Sequence, residues 1–231
     1  MFLTQAFDAS ISVIFLVLSY IIGSIPFGLI FGKRIKGIDI REHGSGNIGS
    51  TNAIRVLGKK VGYLVFLCDV FKGMFIIIIL KILDSCSIWT TPIEFFFYGA
   101  AAIIGHSFSI FLNFKGGKAV ATSLGVVLIL TPIPAVACLI IFAIILFTTG
   151  YVSLASTGAT LTVVISTWIL YAIGYEATNV LDYFISTPGL VVTVCYTVLS
   201  SLIILKHTKN YKRLLNGTES NFKKNKKKEA N

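Results

Sequence analysis

An all-α fold that crosses a membrane repeatedly is what this sequence predicts, on three observations. Hydrophobic residues make up 55% of the 231 positions and charged residues only 13%, against about a quarter charged in a soluble domain. Apolar runs of membrane-spanning length recur along the chain. The basic residues collect between alternate runs and do not scatter. A mean hydropathy of +0.85 beside a net charge of +10 is therefore no nucleic-acid signature; it points to cations gathered on one face of a bilayer.

A helix crossing the hydrocarbon core takes roughly 20 apolar residues, about 17 to 25. Runs at 11–31, 61–83, 94–112, 119–132, 135–149, 157–173 and 187–205 meet or approach that length. The expectation is a polytopic transmembrane helical bundle of about seven spans, forming a single integral membrane domain over 1–231. The fourth and fifth runs are short and separated only by Thr131-Pro132-Ile133-Pro134. Two thin spans and one re-entrant pair remain open there, and both leave the downstream parity unchanged.

Charge sets the orientation. With the N-terminus outside, segments 32–60, 113–118, 150–156 and 206–231 lie inside and hold 18 of the 20 Lys and Arg residues; Lys72 and Lys81 fall in the second span. The outer segments carry Asp8, Asp84, Glu94, Glu176 and Asp182 without a single Lys or Arg. This partition follows the positive-inside rule and places the C-terminus in the cytoplasm. The Lys-rich end, 220–231, is expected to be a disordered basic tail. It either lies on anionic lipid heads, at about 1 kcal/mol per basic residue, or serves only as a topogenic tail.

Cys68, Cys86, Cys138 and Cys195 show no CxxC spacing and no pairing with His, so neither a disulfide framework nor a zinc site is expected. No basic residue precedes Lys33, so the first run lacks a signal-peptide n-region and should remain as an anchor.

Three polar segments interrupt this apolar chain. In Gly44-Ser45-Gly46-Asn47-Ile48-Gly49-Ser50-Thr51-Asn52-Ala53-Ile54-Arg55, glycines alternate with small polar residues. Such backbone can turn its N–H groups into an anion-binding nest, and Arg55 adds a guanidinium fork suited to phosphate. A plain flexible loop is the bland reading of so much Gly and Ser. The second segment, Phe114-Lys115-Gly116-Gly117-Lys118-Ala119-Val120-Ala121-Thr122, enters the fourth run directly. Its glycines should leave N–H groups open beside a helix start and the Lys118 ammonium, although the GxxxxGK[ST] spacing of a nucleotide-binding loop is absent. A snorkelling Lys at a span boundary explains Lys118 but not the two glycines. In the third, Leu205 to Glu219, a continuing helix would put His207, Asn210 and Arg213 or Leu214 on one face. Asp69 and Lys72, at i, i+3 inside the second span, read as a mutually paired structural couple. His106, within the third span, is a functional candidate because intramembrane ionisable groups are costly. Ser153 and Ser156 are expected in the loop between the fifth and sixth runs.

The set GSGNIGSTNAIR (44–55), FKGGKAVAT (114–122) and HTKNYKRLLNGTE (207–219) resembles the bacterial acyl-phosphate:glycerol-3-phosphate acyltransferases. So do Gly23-Ser24-Ile25-Pro26-Phe27-Gly28, Asp69-Val70-Phe71-Lys72-Gly73 and Tyr151-Val152-Ser153-Leu154-Ala155-Ser156, in the family's order over nearly the whole chain. The sequence departs from the family at Ile48 (commonly Pro), Ser109 (commonly Pro), Ala119 (frequently Gly) and Gly150 (often basic). The resemblance implies transfer of a fatty acyl group from acyl phosphate to glycerol 3-phosphate, at the cytoplasmic face of a bacterial inner membrane. It places Ser45, Gly46, Asn47, Gly116 and Gly117 at the acyl phosphate, and Arg55, Lys118, Ser153, Ser156, His207 and Asn210 at glycerol 3-phosphate. Ser45, Arg55, Lys118 and His207 are the expected catalytic residues, with Glu219 orienting a basic neighbour. No metal and no organic cofactor is expected; membrane lipids are partners, and an acyl-phosphate-producing enzyme is a further candidate. A transporter for a phosphorylated solute is the rival reading. It predicts polar groups near the midplane, whereas the motifs here cluster towards one face. An acyl-thioester enzyme with a His-x4-Asp dyad has no matching His.

Overall fold

The computed structural model describes residues 2–174 and 189–223, with side chains from residue 7 onward. Among the described residues every regular element is helical. Ten α-helices follow in order: α1 (Phe2–Ser24), α2 (Phe27–Phe31), α3 (Ser50–Leu57), α4 (Lys59–Ser85), α5 (Phe95–Ser107), α6 (Val120–Leu130), α7 (Pro132–Thr149), α8 (Val152–Ala172), α9 (Leu190–Leu205) and α10 (Thr208–Leu215). They form two compact units, 1–130 and 131–231.

In the first unit α1 packs along α5, and α4 packs along α3 and α6. Small residues bring these helices together, as in other membrane bundles where close backbone approach replaces the hydrophobic effect. Ser19 Oγ donates to the Tyr98 carbonyl at 2.6 Å and Ser24 Oγ to the Gly105 carbonyl at 3.2 Å, both between α1 and α5. Between α4 and α6, Gly73 lies against the Thr122 carbonyl and Gly125 against the Val70 carbonyl, each too close for a side chain. Beneath α2 and α3 a small apolar core joins Leu29, Ile40, Ile48, Ala53, Leu57, Val65 and Leu112.

In the second unit α8 packs against both α7 and α9. Large apolar side chains on the outside of α1 (Val13, Ile14, Val17) and α7 (Ile140, Ile144, Phe147) are exposed. On a soluble protein such contiguous apolar surface would be a liability; on these helices it is the lipid-facing side.

Five described helices are long and apolar enough to cross a membrane, and six if the bent pair α9 and α10 counts as one. The seven expected runs are all present as helices, with revised ends. The run 11–31 breaks after Ser24, because Pro26 has no N–H to continue the ladder and disfavours helical Ile25. The run 94–112 ends as α5 at Ser107, followed by a single 3-10 turn, Ile110–Leu112. The run 119–132 shortens to α6, whose 11 residues extend about 16 Å, well under the core thickness of about 30 Å. Ser153 and Ser156, expected in a loop, sit in the opening turns of α8. Gly150 closes α7 at φ +78° and the chain re-enters helix after one further residue.

Residues 220–223, expected to begin a disordered tail, are tied down. The Phe222 N–H donates to the Gly150 carbonyl at 2.7 Å and Asn221 Nδ2 to the Thr149 carbonyl at 3.0 Å. The expected start of the seventh run at 187, the outer acidic residues Glu176 and Asp182, and the tail from 224 onward lie outside the described residues.

Candidate functional site

In the first unit, the glycine-rich segment is organised by one buried side chain, Asn52, only 2% exposed. Its Oδ1 accepts the Ser45 backbone N–H at 2.8 Å. Its Nδ2 group is shared among the carbonyls of Asn47 (2.8 Å), His43 (3.1 Å) and Ile40 (3.2 Å). The amide thus works both as donor and acceptor, and it fixes a loop that would otherwise be a flexible Gly-Ser stretch. Asn47 adds an Asx turn, its Oδ1 accepting the Gly49 N–H at 2.8 Å. Gly44 (φ +62°) has to be glycine, since a Cβ there would strike the Asn52 Oδ1. The result leaves Ser45 and Gly46 exposed on a rigid loop, with Arg55 exposed on the following helix α3.

Not every nearby cation is equally available to a phosphate. Arg41 grips Asp39 through Nε (2.9 Å) and Nη2 (2.6 Å). The Arg41 guanidinium holds the Asp39 carboxyl down at about 2, so this pair is neutralised.

The second polar segment corrects an expectation. The N–H groups of Gly116 and Gly117 are not open: they donate to the carbonyls of Ser107 (3.2 Å) and His106 (2.9 Å). These glycines let the segment lie directly on the end of α5. A Cβ on Gly116 would strike the His106 carbonyl and one on Gly117 the His106 Nε2. Lys118 follows immediately, half-buried. Asn113, Phe114 and Ala119 have φ of +50°, +60° and +60°, a region costing a non-glycine residue roughly 1–2 kcal/mol. Strain of this kind persists only where surroundings over-determine the backbone, and it clusters at functional segments. Beneath the segment lie Asp69, Lys72 and His106, exposed by 2%, 3% and 4%. Lys72 Nζ stands 2.7 Å from Asp69 Oδ1 and donates to the Ile25 carbonyl at 2.8 Å, at the break between α1 and α2. The expected Asp69–Lys72 pairing is present, and it also ties down the carbonyl that the Pro26 break exposes.

In the second unit the third motif closes on Glu219, a residue whose side chain is 7% exposed. Its Oε1 accepts from Asn210 Nδ2 at 2.7 Å and from Ser153 Oγ at 2.9 Å; its Oε2 accepts from Arg213 Nε at 2.7 Å. Burial alone would raise this carboxyl's pKa, but the Arg213, Asn210 and Ser153 donors outweigh burial and hold it below the ordinary glutamate value. Glu219 therefore aligns a basic residue, as expected, and two further residues of the predicted set. Buried His207 caps α10, its Nδ1 2.8 Å from the Ile203 carbonyl and its ring stacked on Tyr211. The helix continues through this point with a 47° bend, and Asn210 N–H still reaches the His207 carbonyl at 2.8 Å. Buried Ser156 lies one turn beyond Ser153 on α8. The Tyr211 hydroxyl is 2.7 Å from Thr157 Oγ1, a tie no sequence motif flagged. Asn52 stood inside a quoted motif without a role, and only its position seven residues after Ser45, as an Asn in a helix start, hinted at one.

Fold and hydropathy together define a multi-pass integral membrane protein that carries ordered polar segments. Residues 13–217 match the family described as Glycerol-3-phosphate acyltransferase, and the chain belongs to that family. It is 44% identical over 213 residues to a glycerol-3-phosphate acyltransferase of Acholeplasma laidlawii, covering 90% of this chain and 91% of that one. It is also 44% identical over 210 residues to one of Bacillus velezensis, covering 90% and 96%. Among solved structures it is similar to an integral membrane glycerol 3-phosphate acyltransferase crystallised in a glycerol 3-phosphate form. The TM-score there is 0.74 at 36% identity, over 91% of this chain and 94% of that one. A lysophosphatidic acid form of that enzyme gives a TM-score of 0.71 at 35% identity, over 90% and 94%.

Proposed function

We propose that the chain transfers a fatty acyl group from acyl phosphate to glycerol 3-phosphate, giving 1-acylglycerol 3-phosphate and inorganic phosphate. The glycerol hydroxyl oxygen forms the new bond to the acyl carbonyl carbon, the acyl–phosphate C–O bond breaks, and phosphate leaves with that electron pair. Both substrates and both products carry phosphate, so catalysis here is positioning and charge stabilisation.

The observation that carries this reading is the Ser45–Asn47 loop, held rigid by Asn52 with Ser45 and Gly46 exposed. Ser45, Gly46 and Asn47 serve the acyl-phosphate head. Gly116 and Gly117 serve it by close backbone approach, since their N–H groups are engaged. Arg55 and Lys118 of the first unit, and Ser153, Ser156, His207 and Asn210 of the second, serve glycerol 3-phosphate and the departing phosphate. The family match runs through both units, which supports treating 1–231 as one catalytic domain.

For the topology we infer seven crossings, with the N-terminus outside and the polar segments on the cytoplasmic face of the inner membrane. The charge partition supports the orientation. Short α6 counts as a crossing because Gly125 packs on the Val70 carbonyl, midway along membrane helix α4.

The decisive experiment follows phosphate release from palmitoyl phosphate by the purified protein. Release that depends on added glycerol 3-phosphate, with 1-acylglycerol 3-phosphate as product, supports the reading. Equal release without glycerol 3-phosphate, or none with it, overturns it.

A further inference from the structure

Three ionisable residues in the first unit, Asp69, Lys72 and His106, are buried at 2–4% exposure, and the reaction as drawn leaves them without a task. Asp69 and Lys72 sit on consecutive turns of α4, and His106 sits near the end of α5. An isolated buried charge in a membrane segment costs several kcal/mol (roughly 2.5–3.5 on insertion scales), so a bundle held only by packing would do better with apolar residues here. The arrangement is also directional. Lys72 Nζ bridges Asp69 (2.7 Å) and the Ile25 carbonyl (2.8 Å), with the Phe27 ring 5.6 Å away. Asp69 Oδ1 lies 3.7 Å from His106 Nδ1 on one edge of the imidazole. On its other edge, Nε2 lies against Gly117, which has no room for a Cβ. The His106 carbonyl accepts the Gly117 N–H at 2.9 Å, so residue 106 touches Gly117 through both ring and backbone. The next residue is Lys118.

We infer that Asp69, Lys72 and His106 are positioning residues that set the place of the Lys118 ammonium. Lys72 orients the Asp69 carboxylate, Asp69 fixes the face of the His106 ring, and the ring is the floor on which Gly117 rests. The chain of contacts runs from the α1–α2 break to the residue before Lys118. The packing of Gly73 on the Thr122 carbonyl locks α4 to the start of α6 just beyond Lys118, so the segment is gripped on both sides. This inference rests on the reading that Lys118 holds a substrate phosphate.

The test compares His106→Ala, His106→Gln and the paired Asp69→Asn with Lys72→Met, each alone and combined with Lys118→Ala. Palmitoyl phosphate and glycerol 3-phosphate are varied separately. Replacing the ion pair as a pair avoids a lone buried charge; if that protein fails to insert, the His106 variants carry the same comparison. Displacing a substrate-holding group by about 1 Å costs up to about 10²-fold. The expected result is an increase of about tenfold or more in KM for glycerol 3-phosphate. KM for palmitoyl phosphate should stay within about twofold, and His106→Gln should recover most of the loss of His106→Ala. In the Lys118→Ala background the same changes should add less than about twofold, since coupled groups are not additive. Effects that multiply with Lys118→Ala, or a fall in kcat alone with both KM values unchanged, overturn the inference while leaving the proposed reaction in place. Full activity of Lys118→Ala by itself strikes the role of Lys118, and the inference with it.

Discussion

The Asn52 Oδ1 accepts the Ser45 backbone N–H at 2.8 Å, so the most exposed serine of the glycine-rich loop takes its place from a buried amide seven residues on. Asn52→Asp keeps the shape and the acceptor but deletes the Nδ2 donors to Ile40, His43 and Asn47. Leaving buried carbonyls unsatisfied costs about 1–3 kcal/mol. The loop should loosen and turnover should fall at least about tenfold, as for a misplaced catalytic group. Thermal unfolding and steady-state rates on the purified variant check this. Wild-type rates with a lowered melting midpoint would separate loop order from activity and sink the claim.

Glu219 gives a pH dependence with a definite sign. Its folded pKa lies below the ordinary glutamate value because Arg213, Asn210 and Ser153 donors overcome the effect of burial. The stability it contributes is therefore complete above the unfolded glutamate range, near 4.5. It fades as pH falls through the lowered folded value. Melting midpoints of wild type and Glu219→Gln should differ at neutral pH and converge in acid. A gap of constant size across that range would show that the carboxylate charge is not what holds the segment.

Topology turns on Cys86, which is exposed at the end of α4, in the segment expected outside. A membrane-impermeant maleimide should label it in intact cells. Labelling only after the membrane is opened would invert the inferred orientation and put all three polar motifs on the other side.

Ala119 holds φ +60° while almost fully buried, at 1% exposure. Ala119→Gly should relieve about 1–2 kcal/mol of left-handed strain, offset in part by the greater unfolded-state freedom of glycine. The expected outcome is a modestly higher melting midpoint in detergent, with activity retained. A lower midpoint would mean that the Ala119 methyl contributes more by packing than its backbone costs.

The helical spans were legible because hydropathy and charge partition are local quantities, readable in any window of about 20 residues. The Asp69–Lys72 pair was legible for a similar reason: i, i+3 spacing places both on one face. What escaped depends on contacts between distant residues. The Gly116 and Gly117 N–H groups looked open because their acceptors, the carbonyls of Ser107 and His106, belong to another helix. Asn52 hid inside a motif whose glycines drew the attention, yet its bonds to Ile40, His43, Ser45 and Asn47 are what make the loop rigid. Ser153 and Ser156 were assigned to a loop because a reversal as short as Gly150-Tyr151 leaves little mark on a hydropathy pattern. Glu219 was legible as an orienting group, but its hold on Ser153 required the chain to fold back onto α8.

The remaining prediction concerns the route of the acyl group. A nucleophilic serine needs a base within hydrogen-bond reach, itself oriented by a third group. His43 is two residues from Ser45, but the nearby Asp39 carboxylate that could orient its imidazole is held in the Arg41 fork. Acyl phosphate is already activated by its leaving group, so a covalent relay gains little. The expected route is direct attack by the glycerol hydroxyl, its proton passing to a substrate phosphate oxygen, with Ser45 donating a hydrogen bond. Ser45→Ala should then slow turnover by about 10²–10³-fold, as for loss of one stabilising donor. Wild-type kinetics should be sequential, and labelled acyl phosphate alone should leave no label on the protein. A stoichiometric burst of phosphate in the absence of glycerol 3-phosphate, abolished in Ser45→Ala, would make Ser45 the nucleophile and replace direct attack with an acyl-enzyme.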